Sequence, residues 1–245
     1  MFEPESSQME TRSGKPAKEP TTKAMLKYFF KLSMPMILSN FTGFLIMPIN
    51  SALAGRFEDP KALAAVGLGN VCSFIFIVSI VTGLNSGQET LTSQAFGSCK
   101  YRLCGIYLNR GAIVLLLFFV PLALVPATCA ERIFLILGQD EEVSRLAHIY
   151  IAWFTPGLLF YSMFDLLKRF LAAMRITFWP MIAQVIACAL HLLLCLLMVQ
   201  HCNRLETVAA LGLASSLSNG FLVIVTVTYC LCHQPIRSVL SCPNR

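Results

Sequence analysis

Apolar residues in this chain gather into long uninterrupted runs instead of alternating with polar ones. Six stretches carry no charged side chain: Leu32 to Gly55, Ala62 to Gln88, Gly111 to Ala130, Leu146 to Phe164, Ile176 to Asn203 and Thr207 to Ile236. Each is at least 19 residues long, and about 20 helical residues cross the hydrocarbon core of a bilayer. The period-2 pattern of a membrane β-barrel is absent. The runs therefore predict an all-α membrane protein with helices over about 27–54, 62–97, 104–129, 143–174, 177–200 and 207–232. Pro35, Pro48, Pro121, Pro126, Pro156 and Gly157 fall inside these spans. Neighbouring helices satisfy the backbone groups that such residues free, and Pro156 and Gly157 are candidate points of helix bending.

Composition agrees with a bilayer as the solvent. Of 245 residues 56% are hydrophobic and 13% charged, with a mean hydropathy of +0.67. A soluble domain carries roughly a quarter charged residues, and six buried helices of this kind would leave almost nothing to face water. Residues 1–24 are polar and proline-containing and predict a disordered tail. They lack the apolar segment of a secretory signal. Residues 25–236 form the membrane domain, and 237–245 a second tail.

Basic residues set the orientation. With the N-terminus inside, the inner segments hold Arg12, Lys15, Lys18, Lys23, Lys27, Lys31, Lys100, Arg102, Arg110, Lys168, Arg169, Arg175, Arg237 and Arg245. The outer loops hold Arg56, Lys61, Arg132, Arg145 and Arg204. Both termini are expected in the cytoplasm. The net charge of +6 reports this asymmetry, and no nucleic-acid partner is expected.

Polar residues inside a span are expensive and mark function or helix contact. The first span carries Ser39, Asn40, Thr42 and Asn50; the fifth, Gln184 and His191; the sixth, Ser215, Ser216, Ser218 and Asn219. Asp165 and Arg169 stand four apart and pair if the fourth helix continues past Phe164. In the second, Asn85, Glu89, Thr92, Ser93 and Phe96 predict one stripe facing protein or water. Cysteine spacings match no strong zinc pattern, so no metal is expected; Cys129 and Cys202 flank outer loops, and spacing alone does not establish whether they pair. No P-loop, G-x-S-x-G, H-E-x-x-H or G-x-G-x-x-G occurs. An enzyme and a cofactor are not expected; a secondary transporter fits better.

The segment GQETLTSQAFGSCKYRLCGIYLNR resembles the second- and third-helix signature of the multidrug and toxin extrusion (MATE) family. Glu89, Thr90, Leu91, Gln94, Ala95, Phe96 and Gly97 match in register, as do Gly105, Tyr107 and Arg110, whereas Thr92, Ser93 and Asn109 depart from it. Pro35 and Gly55 in the first helix, Gly138, Gln139, Trp153, Pro156 and Gly157 around the fourth, and Arg169, Phe170 and Leu171 after it agree. His191 and Cys195 in the fifth also agree. The resemblance covers about residues 25 to 232.

It implies one six-helix lobe of a twelve-helix transporter, the two lobes being parallel repeats about a central cavity. It further implies export of organic cations, xenobiotics or metabolites in exchange for H⁺ or Na⁺ across the lipid bilayer. Glu89, Asn50, His191 and Gln94 are the implied candidates for the cation, proton or transport path. Asn50 stands where many prokaryotic members carry an aspartate. The expected chain is half of the usual one. It is completed by a second lobe or by a homodimer, or else is a degenerate protein that pairs with or regulates a full-length relative.

Overall fold

The computed structural model describes residues 21–57, 60–199 and 204–232; most of both expected tails, and Cys202, lie outside them. The described residues form six membrane-length helical spans and no strand. The first span divides into α1, Thr22–Phe44, and α2, Ile46–Ala54. The division falls where Pro48, lacking an N–H, leaves the Phe44 carbonyl without its intrahelical donor. The second span is α3, Pro60–Ser73, a π-helical turn over Phe74–Val78, and α4, Ser79–Gly97. Then come α5, Tyr101–Ile136; α6, Glu141–Ala173; α7, Phe178–Val199; and α8, Arg204–Cys232.

Several helices overrun the expected limits: α1 begins at Thr22 and α5 ends at Ile136. Charge-free length measures contact with lipid, whereas a helix continues through Lys23, Glu131 and Arg132 because such residues are good helix formers. Turn chemistry ends them instead. Cys99 and Arg175 adopt φ of 58° and 64°, and Gly138 a φ of 82°. Each is followed by an N–H that reaches back over the last turn, as from Ile176 to the Leu171 carbonyl at 2.9 Å. Asp140 caps α6 by accepting from the Glu142 and Val143 amides at 3.0 and 3.3 Å. The Val143 amide, with those of Glu142 and the Lys61 ammonium behind it, holds the Asp140 carboxyl below its ordinary range.

α6 and α8 form the centre. Half of the apolar stretch of α6 and 56% of that of α8 is buried, against 17% for the first span and 22% for α5. Around them, α6 packs on α3, α4, α5 and α8, while α7 packs on α8 and α1. Small residues let the central pair approach: Gly212, Ser216 and Gly220 recur every fourth position along α8. A Cβ on Gly212 would stand 2.9 Å from Trp153 Cβ, and one on Gly157 of α6 would stand 2.8 Å from Ser216 Cα. In lipid, such close backbone approach supplies the dispersion contact that holds helices together.

The π turn has a packing role. Ser73, Ile77, Val81 and Asn85 are all buried, a spacing of four repeated three times. On a straight α-helix three such steps precess by about a third of a turn; the wider π turn takes up the drift and keeps this line on α6 and α5. Below it the buried line continues through Gln88, Thr92 and Ala95. Ser93 lies about 100° round the helix from Thr92 and is exposed, off the buried line.

Candidate functional site

Two polar clusters form within the lobe, and a third polar contact sits beside Pro156 of α6. The first joins residues from five segments. Asn50, at the end of α2, is fully buried, as are His191 of α7, Tyr150 of α6 and Ser215 of α8. The Asn50 amide donates to the Tyr150 hydroxyl at 3.0 Å and to Ser215 Oγ at 2.9 Å. Tyr150 in turn donates to Asn70 Oδ1 of α3 at 2.8 Å. Both amide hydrogens of Asn50 being used, its Oδ1 accepts, and His191 Nε2 lies 3.1 Å from it. That assigns the neutral imidazole its proton on Nε2; Nδ1 lies 3.2 Å from Ser218 Oγ, whose single O–H also has the Ala214 carbonyl within reach at 2.8 Å. Cys195, one turn along α7, points its thiol to the Asn50 oxygen at 3.7 Å.

Chain order does not suggest this arrangement, since 141 positions separate Asn50 from His191. The fold brings these two sequence candidates into direct contact. Sequence reasoning missed Tyr150 and Asn70; the signal available was an amide, Asn70, inside the charge-free run of the second span. Every member of the cluster is uncharged in its ordinary form, and an asparagine holds its middle. Replacing Asn50 with leucine is expected to lower stability by about 1–3 kcal/mol, read by unfolding of the purified protein in mixed micelles. The loss centres on His191, because Tyr150 and Ser215 keep their donations to Asn70 and to the Leu211 carbonyl. A change below a few tenths would show that the cluster is not intact.

The second cluster lies at the other end of the same helices, where α4 and α6 finish. α6 does continue past Phe164, so Arg169 Nε meets Asp165 Oδ2 at 2.8 Å. Asp165 is buried, with a side-chain exposure of 5%. It also receives Asn85 Nδ2 at 3.0 Å and lies 3.3 Å from Lys168. Arg169 then reaches α4 with Nη1, donating to Glu89 Oε2 at 2.9 Å and Ser86 Oγ at 3.0 Å. Lys168 crosses to α1, donating to Asn40 Oδ1 at 2.9 Å. Glu89, the leading sequence candidate, is thus an ion-pair partner shared across α4 and α6. Gln94 is exposed and joins neither cluster.

Beside Pro156, the backbone of Gly157 and Trp153 meets a side chain from another helix. Ser216 Oγ accepts from the Gly157 N–H at 3.0 Å and donates to the Trp153 carbonyl at 2.6 Å. The serine thereby stands between a donor and an acceptor that an unbroken helix would join directly.

The MatE family model matches residues 35–197. This chain belongs to the MATE family. A relative from Pongo abelii, Multidrug and toxin extrusion protein 2, is 38% identical over 157 residues, which is 62% of this chain and 26% of the relative. Protein DETOXIFICATION 49 of Arabidopsis thaliana is 30% identical over 207 residues, 82% of this chain and 40% of the relative. Among solved structures, the eukaryotic MATE transporter AtDTX14 superposes with a TM-score of 0.79 at 24% identity. That match covers 89% of this chain and 48% of the other. The chain thus spans about half the length of this MATE transporter, and less of the curated relatives it matches.

Proposed function

We propose that this chain is one six-helix lobe of a secondary antiporter that exports organic cations, xenobiotics or metabolites in exchange for H⁺ or Na⁺. The observation that carries the reading is a polar face on α4. Ser79, Gly83, Ser86, Gly87, Thr90, Ser93, Gln94 and Gly97 lie along one side of a membrane helix, and all are exposed. Small and hydroxylated residues on an exposed intramembrane face suit a second lobe or a water-filled cavity better than lipid. The second lobe completes the cavity, either from further polypeptide or from another copy related by an axis along the membrane normal. The basic-residue bias supports cytoplasmic termini.

Glu89 is the carboxylate nearest this face and the one most open to exchange: its side chain is 32% exposed and Arg169 is its single ion-pair partner, whereas Asp165 is 5% exposed and shares two cations. Vesicles holding the purified protein, made more acidic inside than out, are expected to accumulate a fluorescent organic cation. Glu89→Gln is expected to slow this by about tenfold or more, in the range of a lost proton-transfer group, at an unchanged melting temperature. The uncharged Asn50 cluster favours a second reading, in which the chain regulates or pairs with a full-length relative. No uptake by well-folded protein whose cavity has been completed, by a second copy or by a fused second lobe, would decide for that one.

A further inference from the structure

The second cluster borders a cavity of about 60 Å³, room for about two waters at liquid density. It opens between α1, α4, α6 and the start of α7, at the end that the basic-residue bias places in the cytoplasm. Ser39, Glu89, Lys168, Arg169 and Thr177 line it. Its hydrogen-bonding capacity is unbalanced. Of the three N–H groups of Lys168, one goes to Asn40 and one lies toward Asp165. Of the five on Arg169, Nε serves Asp165 and Nη1 serves Glu89 and Ser86. Among the described residues, one N–H of Lys168 and both on Nη2 of Arg169 remain. Ser39 is 2% exposed, and its buried hydroxyl has no partner.

Charge does not match this surplus of donors. Asp165 and Glu89 offset Lys168 and Arg169, so the cluster sums to zero and a bare anion meets the Glu89 carboxylate. Among the described residues, the charged groups that line the cavity with Glu89 or pair with those that do are Arg169, Lys168 and Asp165, all of α6. From α1 and α7 the lining offers only neutral side chains such as Asn40 and Thr177. We propose that this cavity binds a carboxylate group together with a proton on Glu89, whose own side chain otherwise occupies Arg169 as an internal substitute for that ligand. Arg169 presents the planar fork that matches a carboxylate, and Asp165 keeps the guanidinium in place when Glu89 lets go. Proton and anion then strengthen each other's binding by the same factor.

Binding without any gradient tests this separately from transport. The full chain in phosphatidylcholine nanodiscs is titrated with benzoate by calorimetry. Affinity is expected to rise about tenfold or more from about pH 8 to about pH 5.5, because ligand and proton load together. Glu89→Gln is expected to bind at the higher pH at least as tightly as the parent at the lower one, with no pH dependence. Lys168→Gln is expected to weaken binding in both backgrounds, and melting temperatures establish that each variant is folded. A second arm places the protein in nanodiscs containing phosphatidylserine, whose headgroup carries the same chemical group. Stabilisation of Glu89→Gln by that lipid, lost on adding Lys168→Gln, without benzoate binding, assigns the carboxylate to the headgroup. Failure of both arms, or a Glu89→Gln protein that keeps the pH dependence, overturns the proposal.

Discussion

Replacing Arg169 with leucine is expected to destabilise the lobe by about 1.5–3 kcal/mol, the loss of a charge-assisted hydrogen bond to a buried carboxylate that keeps Lys168 and Asn85. Asp165, 5% exposed, loses a 2.8 Å contact, and Glu89 loses its ion-pair partner. Lys168 cannot take over both duties, because it lies on the α1 side, bonded to Asn40. The double variant Asp165→Leu with Arg169→Leu is expected to lose less than the sum of the two single variants. Removing both charges also removes the desolvation that the pair has to offset. Unfolding in mixed micelles measures all three; strict additivity would show that the two residues do not act as a pair.

Gly157→Ala is expected to cost about 3 kcal/mol, combining overpacking with the loss of a hydrogen bond. The new Cβ would lie 2.8 Å from Ser216 Cα and 2.9 Å from its Oγ. No rotamer change relieves a clash with backbone, so α6 and α8 must move apart. The bond from the Gly157 N–H to Ser216 Oγ, at 3.0 Å, stretches with them. Gly220→Ala on the same ladder is the control: its nearest neighbour, the Phe160 ring, stands 3.5 Å away in ordinary contact. That variant is expected to stay within about 0.5 kcal/mol of the parent. Equal losses at the two sites would refute the close approach at Gly157.

Pro156 and Gly157 show how far local sequence carries such readings. Proline and glycine in adjacent positions mark a weak point in a helix wherever they occur. Whether the point is free to move depends on what lies against it, and here Ser216 occupies the gap. Gln94 shows the opposite case. Its place in a recognisable motif singles it out, while its azimuth on α4 puts it on the exposed face, away from both clusters.

The solvent, the number of spans and the family register were readable from the order of residues alone. These depend on charge-free length and on residues close together in the chain, such as the run from Gly87 to Arg110. Even the Asp165 and Arg169 pair was legible, since four positions on one helix are always neighbours. Three contacts depend on helix packing: Asn50 meets His191, Glu89 shares Arg169 with Asp165, and Ser216 meets the backbone of α6 at Gly157. The physical reason is common to all three. A bilayer removes water as a partner, so buried polar groups such as Asn50 and Asp165 turn to other protein groups. Which ones they find depends on the rotation and height of separate helices, and neither is written in the spacing of any single run.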